Sequence, residues 1–251
     1  MTYQTVKGSN GYDLAYVHTA SGDKDQALVV FLGGFRSDMN GSKAIFLEAK
    51  AIAHGFNYLR LDYGGHGASG GKFEDGSIKS WSEDTLSVID HVADKEQPLL
   101  LIGSSMGGWI SYLLAQKLTN RVAGLISINP APDFTDEFLE GMSEQQKASY
   151  KQHGYFTQPN TYSDEPYIFT KTLIEDSREC FLLNKGIAYE GPVHILSGLN
   201  DEVVPPEKCK RVRDAFASDQ VQLEFIEGGD HSLSRPQDLE RLFELVKSHL
   251  N

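Results

Sequence analysis

Cysteine is scarce. Cys180 and Cys209 are the only two in 251 residues, too few for a disulfide framework, and a reduced pair fits an intracellular compartment. No apolar run approaches the length of a membrane span, and Met1-Thr2-Tyr3-Gln4-Thr5-Val6-Lys7 lacks the apolar core of a signal peptide, so the expected location is cytoplasmic. Positive charge is also short: 23 Lys and Arg against 35 Asp and Glu give a formal net charge of −12. With no basic cluster to offset it, such a chain repels phosphate backbones, and nucleic acid is excluded as an expected partner.

Metal-binding patterns are missing as well. His18, His54, His66, His91, His153, His194 and His249 show no ligand spacing, and no His-Glu-x-x-His motif or closely spaced cysteine pair suggests a metal. Neither a metal nor a cofactor is expected. The glycine-rich loop Asp62-Tyr63-Gly64-Gly65-His66-Gly67 lacks the Lys-Ser/Thr of a phosphate-binding loop, and the Gly65-x-Gly67-x-x-Gly70 spacing lacks a downstream acidic partner. His66 there reads as a hydrogen-bonding structural residue. No internal repeat or low-complexity segment is present.

What the chain does have is the composition of a soluble globular protein, 40% hydrophobic and 23% charged, at a length ordinary for one α/β unit. Its most informative stretch is Leu99-Leu100-Leu101-Ile102-Gly103-Ser104-Ser105-Met106-Gly107-Gly108-Trp109-Ile110. Residues 98 to 103 read as a strand buried on both faces. Trp109, Ile110, Leu113 and Leu114 then recur at helical spacing. Gly103-x-Ser105-x-Gly107 thus stands between a strand and a helix, the context of a nucleophile elbow, which exposes a serine hydroxyl to a base. Ser105 is the candidate nucleophile and Ser104 the variable residue inside the motif.

In order along the chain, residues 2 to 8 and 11 to 18 alternate and meet at Asn10-Gly11, a hairpin signal that predicts an antiparallel edge pair. Further strands are predicted at 27–32, 56–61, 122–128, 193–197 and 221–226, with helices at 42–54, 80–93, 206–217 and 236–249. Strands alternating with helices predict a mostly parallel, eight-stranded sheet flanked by helices, residues 1–132 and 191–251 forming this core. Residues 133–190 break the pattern. They carry helical, acidic and aromatic residues, among them Phe134, Phe138, Met142, Tyr150, Tyr155, Phe156, Tyr162, Tyr167, Phe169 and Phe181, and read as a helical lid insertion. Phe134 and Phe138 are candidate substrate contacts.

Parallel sheets place their sites beyond the carboxyl ends of the strands. Asp201 follows the strand ending at Ser197, and His231 follows the strand ending at Ile226. His231 is the candidate base for Ser105, and Asp201 the candidate acid that fixes the imidazole tautomer, with Glu202 and Asp230 as nearby alternatives. Backbone N–H groups of Met106 and of Phe35, after Gly33-Gly34, are the candidate oxyanion donors. Arg36, beside them, reads as a solvated loop residue or a guide for anionic substrates.

The chain order Ser, Asp, His and the elbow resemble the α/β-hydrolase superfamily over nearly the full length. More closely, Gly33-Gly34-Phe35 with Ser37 to Ala44, then Asp62 to Ser69 and Gly103 to Trp109, resemble the group of acyl-protein thioesterases and acyl-glucuronide esterases and its bacterial relatives. The resemblance implies an α/β-hydrolase fold, a Ser105, Asp201, His231 triad and cleavage of carboxylic esters or thioesters without a cofactor. Amide or lactone cleavage, acyl transfer, and a catalytically silent binding protein on this fold are the competing expectations.

Overall fold

The computed structural model describes residues 2–23, 25–159 and 166–250; Lys24 of the first polar loop and Tyr162 of the lid aromatics lie outside them. The hairpin at Asn10-Gly11 forms as the sequence predicts. β1 (Gln4–Lys7) pairs antiparallel with β2 (Asp13–Thr19), and Gly11 takes a positive φ of 80° in the turn.

β3 (Leu28–Leu32), β4 (Tyr58–Leu61), β5 (Leu99–Ser104) and β6 (Val122–Ile128) follow. With β9 (Val193–Gly198) and β10 (Val221–Ile226) they complete the eight-stranded order β1-β2-β4-β3-β5-β6-β9-β10, in which β2 alone runs against the other seven strands. The unbroken apolar runs of β3 and β5 are explained by burial on both sides. Leu28, Val30, Leu32, Leu99 and Leu101 face one core, while Val29, Phe31, Leu100 and Ile102 face the other.

α2 (Ile78–Val92) and α3 (Met106–Lys117) cover the first face. α1 (Ser42–His54) and α8 (Pro236–Leu250) cover the second. α2 starts two residues before the predicted 80, at the buried Ile78, where Ser77 and Ser80 form a reciprocal capping box. α7 (Pro206–Ala215) lies between β9 and β10 in the chain.

The segment between β6 and β9 corrects the expectation of a purely helical insertion. Besides α4 (Phe134–Glu140), α5 (Glu144–His153) and α6 (Lys171–Ser177), it holds an antiparallel ribbon of β7 (Tyr155–Gln158) and β8 (Tyr167–Thr170). Each strand has only four residues, too short for a period of two to stand out among helical neighbours. Pairing buries Phe156 and Phe169, which stack at 5.3 Å.

Candidate active site

β5 ends in a turn that only its glycines permit. Ser105 sits at φ 53°, ψ −116°, a strained conformation for a side-chain-bearing residue. A Cβ on Gly103 would lie 2.3 Å from the Gly107 carbonyl oxygen, and one on Gly107 would lie 2.1 Å from that of Leu32. Larger residues at either position would push strand and helix apart. The turn is held by its own backbone: Ser105 N–H donates to the Ile128 carbonyl, and Ala131 N–H donates to the Ser105 carbonyl.

Three side chains from three strand ends meet here. His231 Nδ1 lies 2.7 Å from Asp201 Oδ2, and His231 Nε2 lies 3.2 Å from Ser105 Oγ. An ionised carboxylate only accepts, so Nδ1 carries the imidazole proton and Nε2 is left to accept from the serine hydroxyl. The other Asp201 oxygen accepts the N–H groups of Val203 and Val204, both at 2.8 Å, which fixes the fully covered carboxylate. The alternative acids are accounted for. Asp230 turns back to accept Leu233 N–H at 2.9 Å, and Glu202 is exposed with no bond to the imidazole.

The first loop approaches from the other side. Gly33-Gly34-Phe35 follows β3, and its turn is closed by Ser37, whose N–H and hydroxyl both donate to the Gly34 carbonyl at 3.1 and 2.8 Å. Tyr63 reaches up from the end of β4 to donate its hydroxyl to the Gly33 carbonyl at 3.1 Å. A Cβ on Gly34 would come within 3.5 Å of the Ser105 Cβ, so this loop lies directly against the elbow. Among the described residues, neither Phe35 N–H nor Met106 N–H has a protein acceptor, so both donors are free for a ligand oxygen.

A cavity of about 620 Å³ opens above these groups, lined by Ser105, Met106, His231, Phe35 and Arg36 together with residues of the inserted segment. One wall is aromatic. Phe134, Phe138 and Phe169 line it, and the Phe35 ring stacks on Phe169 at 5.4 Å with an angle of 5°. The wall beside His231 is polar, with Lys43, Ser232 and Ser234. Lys43 donates to the Ser232 carbonyl, and burial lowers its amine to about 8.

The family described as serine aminopeptidase, S33, matches residues 23–162, more than half of the sequence. The chain belongs to that family of hydrolases. Among curated relatives, the mitochondrial palmitoyl-protein thioesterase ABHD10 of Rattus norvegicus is 33% identical over 221 residues, covering 85% of this chain and 72% of the relative. Among solved structures, a chain from Agrobacterium vitis S4 superimposes with a TM-score of 0.94 at 38% identity, covering 100% of this hydrolase and 99% of that chain. The mouse α/β hydrolase domain-containing protein 10 gives 0.88 at 28% identity, covering 99% and 98%. The enzyme therefore has the α/β-hydrolase fold.

Two residues differ from their sequence reading or refine it. Arg36 is not a freely solvated residue: half-buried at φ 57°, it donates to the Pro166 carbonyl at 3.2 Å and lays its guanidinium 4.8 Å from the centre of the Phe73 ring. His66 is structural, buried among Tyr63, Phe73 and Trp81 with Nδ1 3.3 Å from the Gly64 carbonyl. Burial lowers its pKa to about 4, which keeps it neutral. Sequence reasoning missed Asp62, whose two oxygens accept Met39 N–H at 2.6 Å and Ala68 N–H at 2.8 Å and so tie the glycine-rich loop to the loop after β3. A carboxylate bonded only to backbone N–H groups leaves no spacing signal.

Proposed function

We propose that this hydrolase cleaves carboxylic esters or thioesters of apolar acyl groups through an acyl-enzyme on Ser105, with residues 133–190 serving as the lid over the acyl pocket. His231 Nε2 takes the hydroxyl proton as Ser105 Oγ attacks the acyl carbonyl, and Asp201 stabilises the imidazolium that forms. The negative charge on the former carbonyl oxygen falls between the Phe35 and Met106 N–H groups, and losing one such donor typically costs on the order of a hundred- to a thousand-fold in rate. The imidazolium then gives its proton to the departing alcohol or thiol. Water, deprotonated by the same imidazole, attacks the acyl carbon and restores the serine.

One observation carries this reading: the unbroken hydrogen-bond path Asp201–His231–Ser105 in a cavity also lined by Phe35 and Met106, whose N–H groups have no acceptor among the described residues. The aromatic wall fits an apolar acyl chain, and the polar wall beside His231 fits the leaving group, because the imidazolium must reach the departing atom. The thioesterase activity named for the ABHD10 relatives supports the substrate class. Turnover of matched esters, thioesters, lactones and amides with acyl chains of two to sixteen carbons tests it. The expected order has long-chain esters and thioesters first; amides alone, or no turnover with no fluorophosphonate labelling of Ser105, would contradict it.

A further inference from the structure

Asn129, the first residue past β6, is the one side chain that bonds to the backbone of both the end of β9, which leads into the acid, and the loop carrying the base among the hydrogen bonds of the described residues. Its Oδ1 accepts Gly198 N–H at 2.8 Å, three residues before Asp201. Its Nδ2 donates to the Asp230 and His231 carbonyls, both at 3.0 Å. The chemistry of these partners sets the amide's orientation, since an N–H must face an oxygen and two carbonyls must face the amino group.

The backbone around Asn129 completes the arrangement. Asn129 N–H donates to the Leu196 carbonyl of β9, the Ile128 carbonyl accepts Ser105 N–H, and Ala131 N–H donates to the Ser105 carbonyl. Residues 128–131 therefore touch the backbone of the nucleophile turn, the end of β9 that leads to the acid, and the base loop at once. Asn129 also stands at a φ of 43°, left-handed, with Pro130 next, and has no exposed surface. The residue before a proline ordinarily takes an extended conformation, so this one is held against its preference. Such strain persists where the surrounding contacts over-determine it.

We infer that Asn129 is a positioning residue for the acyl-transfer reaction: its carboxamide fixes the His231 imidazole against Asp201 and Ser105 by fastening the loop that bears the imidazole to the end of β9, from which the carboxylate projects three residues on. This rests on the proposed serine mechanism. Aspartate cannot substitute, because the oxygen in place of Nδ2 would face two carbonyl oxygens. Leucine has the shape but leaves Gly198 N–H and both carbonyls without partners. Misplacement of a reacting group by about 1 Å can cost on the order of a hundredfold in rate, so the effect belongs in kcat.

The test compares Asn129→Ala and Asn129→Gly with the unaltered enzyme, glycine being chosen because it accepts φ 43° without strain and so keeps the turn where alanine fails to fold. Sites are counted by fluorophosphonate labelling at Ser105, and kcat per labelled site and KM are measured on a p-nitrophenyl acyl ester, with the proton NMR resonance of His231 Nδ1–H recorded alongside. The expected result is a fall in kcat per labelled site of about a hundredfold, KM within about threefold, and a displaced or lost resonance. An unchanged kcat per labelled site and an unchanged resonance, with only the melting temperature lowered, would overturn the inference and leave Asn129 a fold residue. Failure of the unaltered enzyme to label or turn over would overturn the serine mechanism itself, a distinct outcome.

Discussion

At the strand ends beneath the cavity, position is set by backbone hydrogen bonds: Ser105 is tied to Ile128 and Ala131, Asp201 to Val203 and Val204, and the His231 loop to Asn129. The segment between β6 and β9 above it has its own hydrogen-bonded ribbon of β7 and β8, but against the cavity it packs through rings, with a few charged anchors. Phe134 and Phe169 each contact Phe35, Phe138 contacts both of them, and Phe156 stacks on Phe169; Asp133 accepts the N–H groups of Leu182 and Leu183; Lys208 of α7 pairs with Glu137 of α4 at 2.7 Å. Hydrogen bonds are directional and hold atoms to tenths of an ångström. Apolar contacts are not, and they tolerate rearrangement. α5 has no buried residue at all, which makes it the least anchored helix of the segment. Under the proposed mechanism, such a division would hold the reacting groups fixed beneath a segment free to adjust to the substrate.

The sharpest way to break this comparison is at the strand ends. Ser105→Ala or His231→Ala should remove at least on the order of ten-thousand-fold of kcat/KM on any substrate, read in steady-state kinetics with folding checked by circular dichroism. Asp201→Asn should cost about a thousand- to ten-thousand-fold, because the amide presents the wrong partner to Nδ1; full activity in the folded variant would return the acid role to another group. In the aromatic wall the effect should depend on the substrate instead. Phe138→Ala should lower kcat/KM about tenfold on a long acyl ester while leaving an acetyl ester nearly unchanged, since it removes apolar contact along the chain but nothing at the reacting carbonyl.

The smallest effect isolates charge on the flank of the core. Asp84 of α2 is buried, accepts Gly64 N–H at 2.9 Å with one oxygen and has no partner for the other; burial raises its carboxyl from 3.8 to about 6. A carboxyl raised on folding binds its proton more tightly in the native state, so its contribution favours the fold at low pH and is lost as pH rises from about 4 to 6. Asp84→Asn keeps the acceptor for Gly64 and should stabilise the protein by about 1–2 kcal/mol above pH 6, flattening that slope in urea titrations at pH 4 to 8.

The same division explains what the sequence made legible. β3, β5 and β6 announce themselves because burial on both faces leaves little room for polar residues, and Asn10-Gly11 because few dipeptides make that turn. The elbow and the chain order of Ser105, Asp201 and His231 follow from the strand ends. The inserted segment was readable only as aromatic and different: four-residue strands carry too little period, and a helix with no buried face carries none. Asn129 was out of reach for another reason, since its meaning lies in carbonyls about a hundred residues away, and a backbone acceptor has no residue type. Likewise only the turn of Asp230 back to Leu233 decides which aspartate meets the imidazole.

The most direct measurement is intact mass spectrometry of the enzyme quenched in acid during turnover of a p-nitrophenyl acyl ester, followed by peptide mapping. The account predicts a mass increase equal to one acyl group, carried by Ser105, absent from Ser105→Ala and discharged on further incubation in the unaltered enzyme. Turnover with no such adduct, or an adduct on Ser104 or either cysteine that turns over at the catalytic rate, would contradict it.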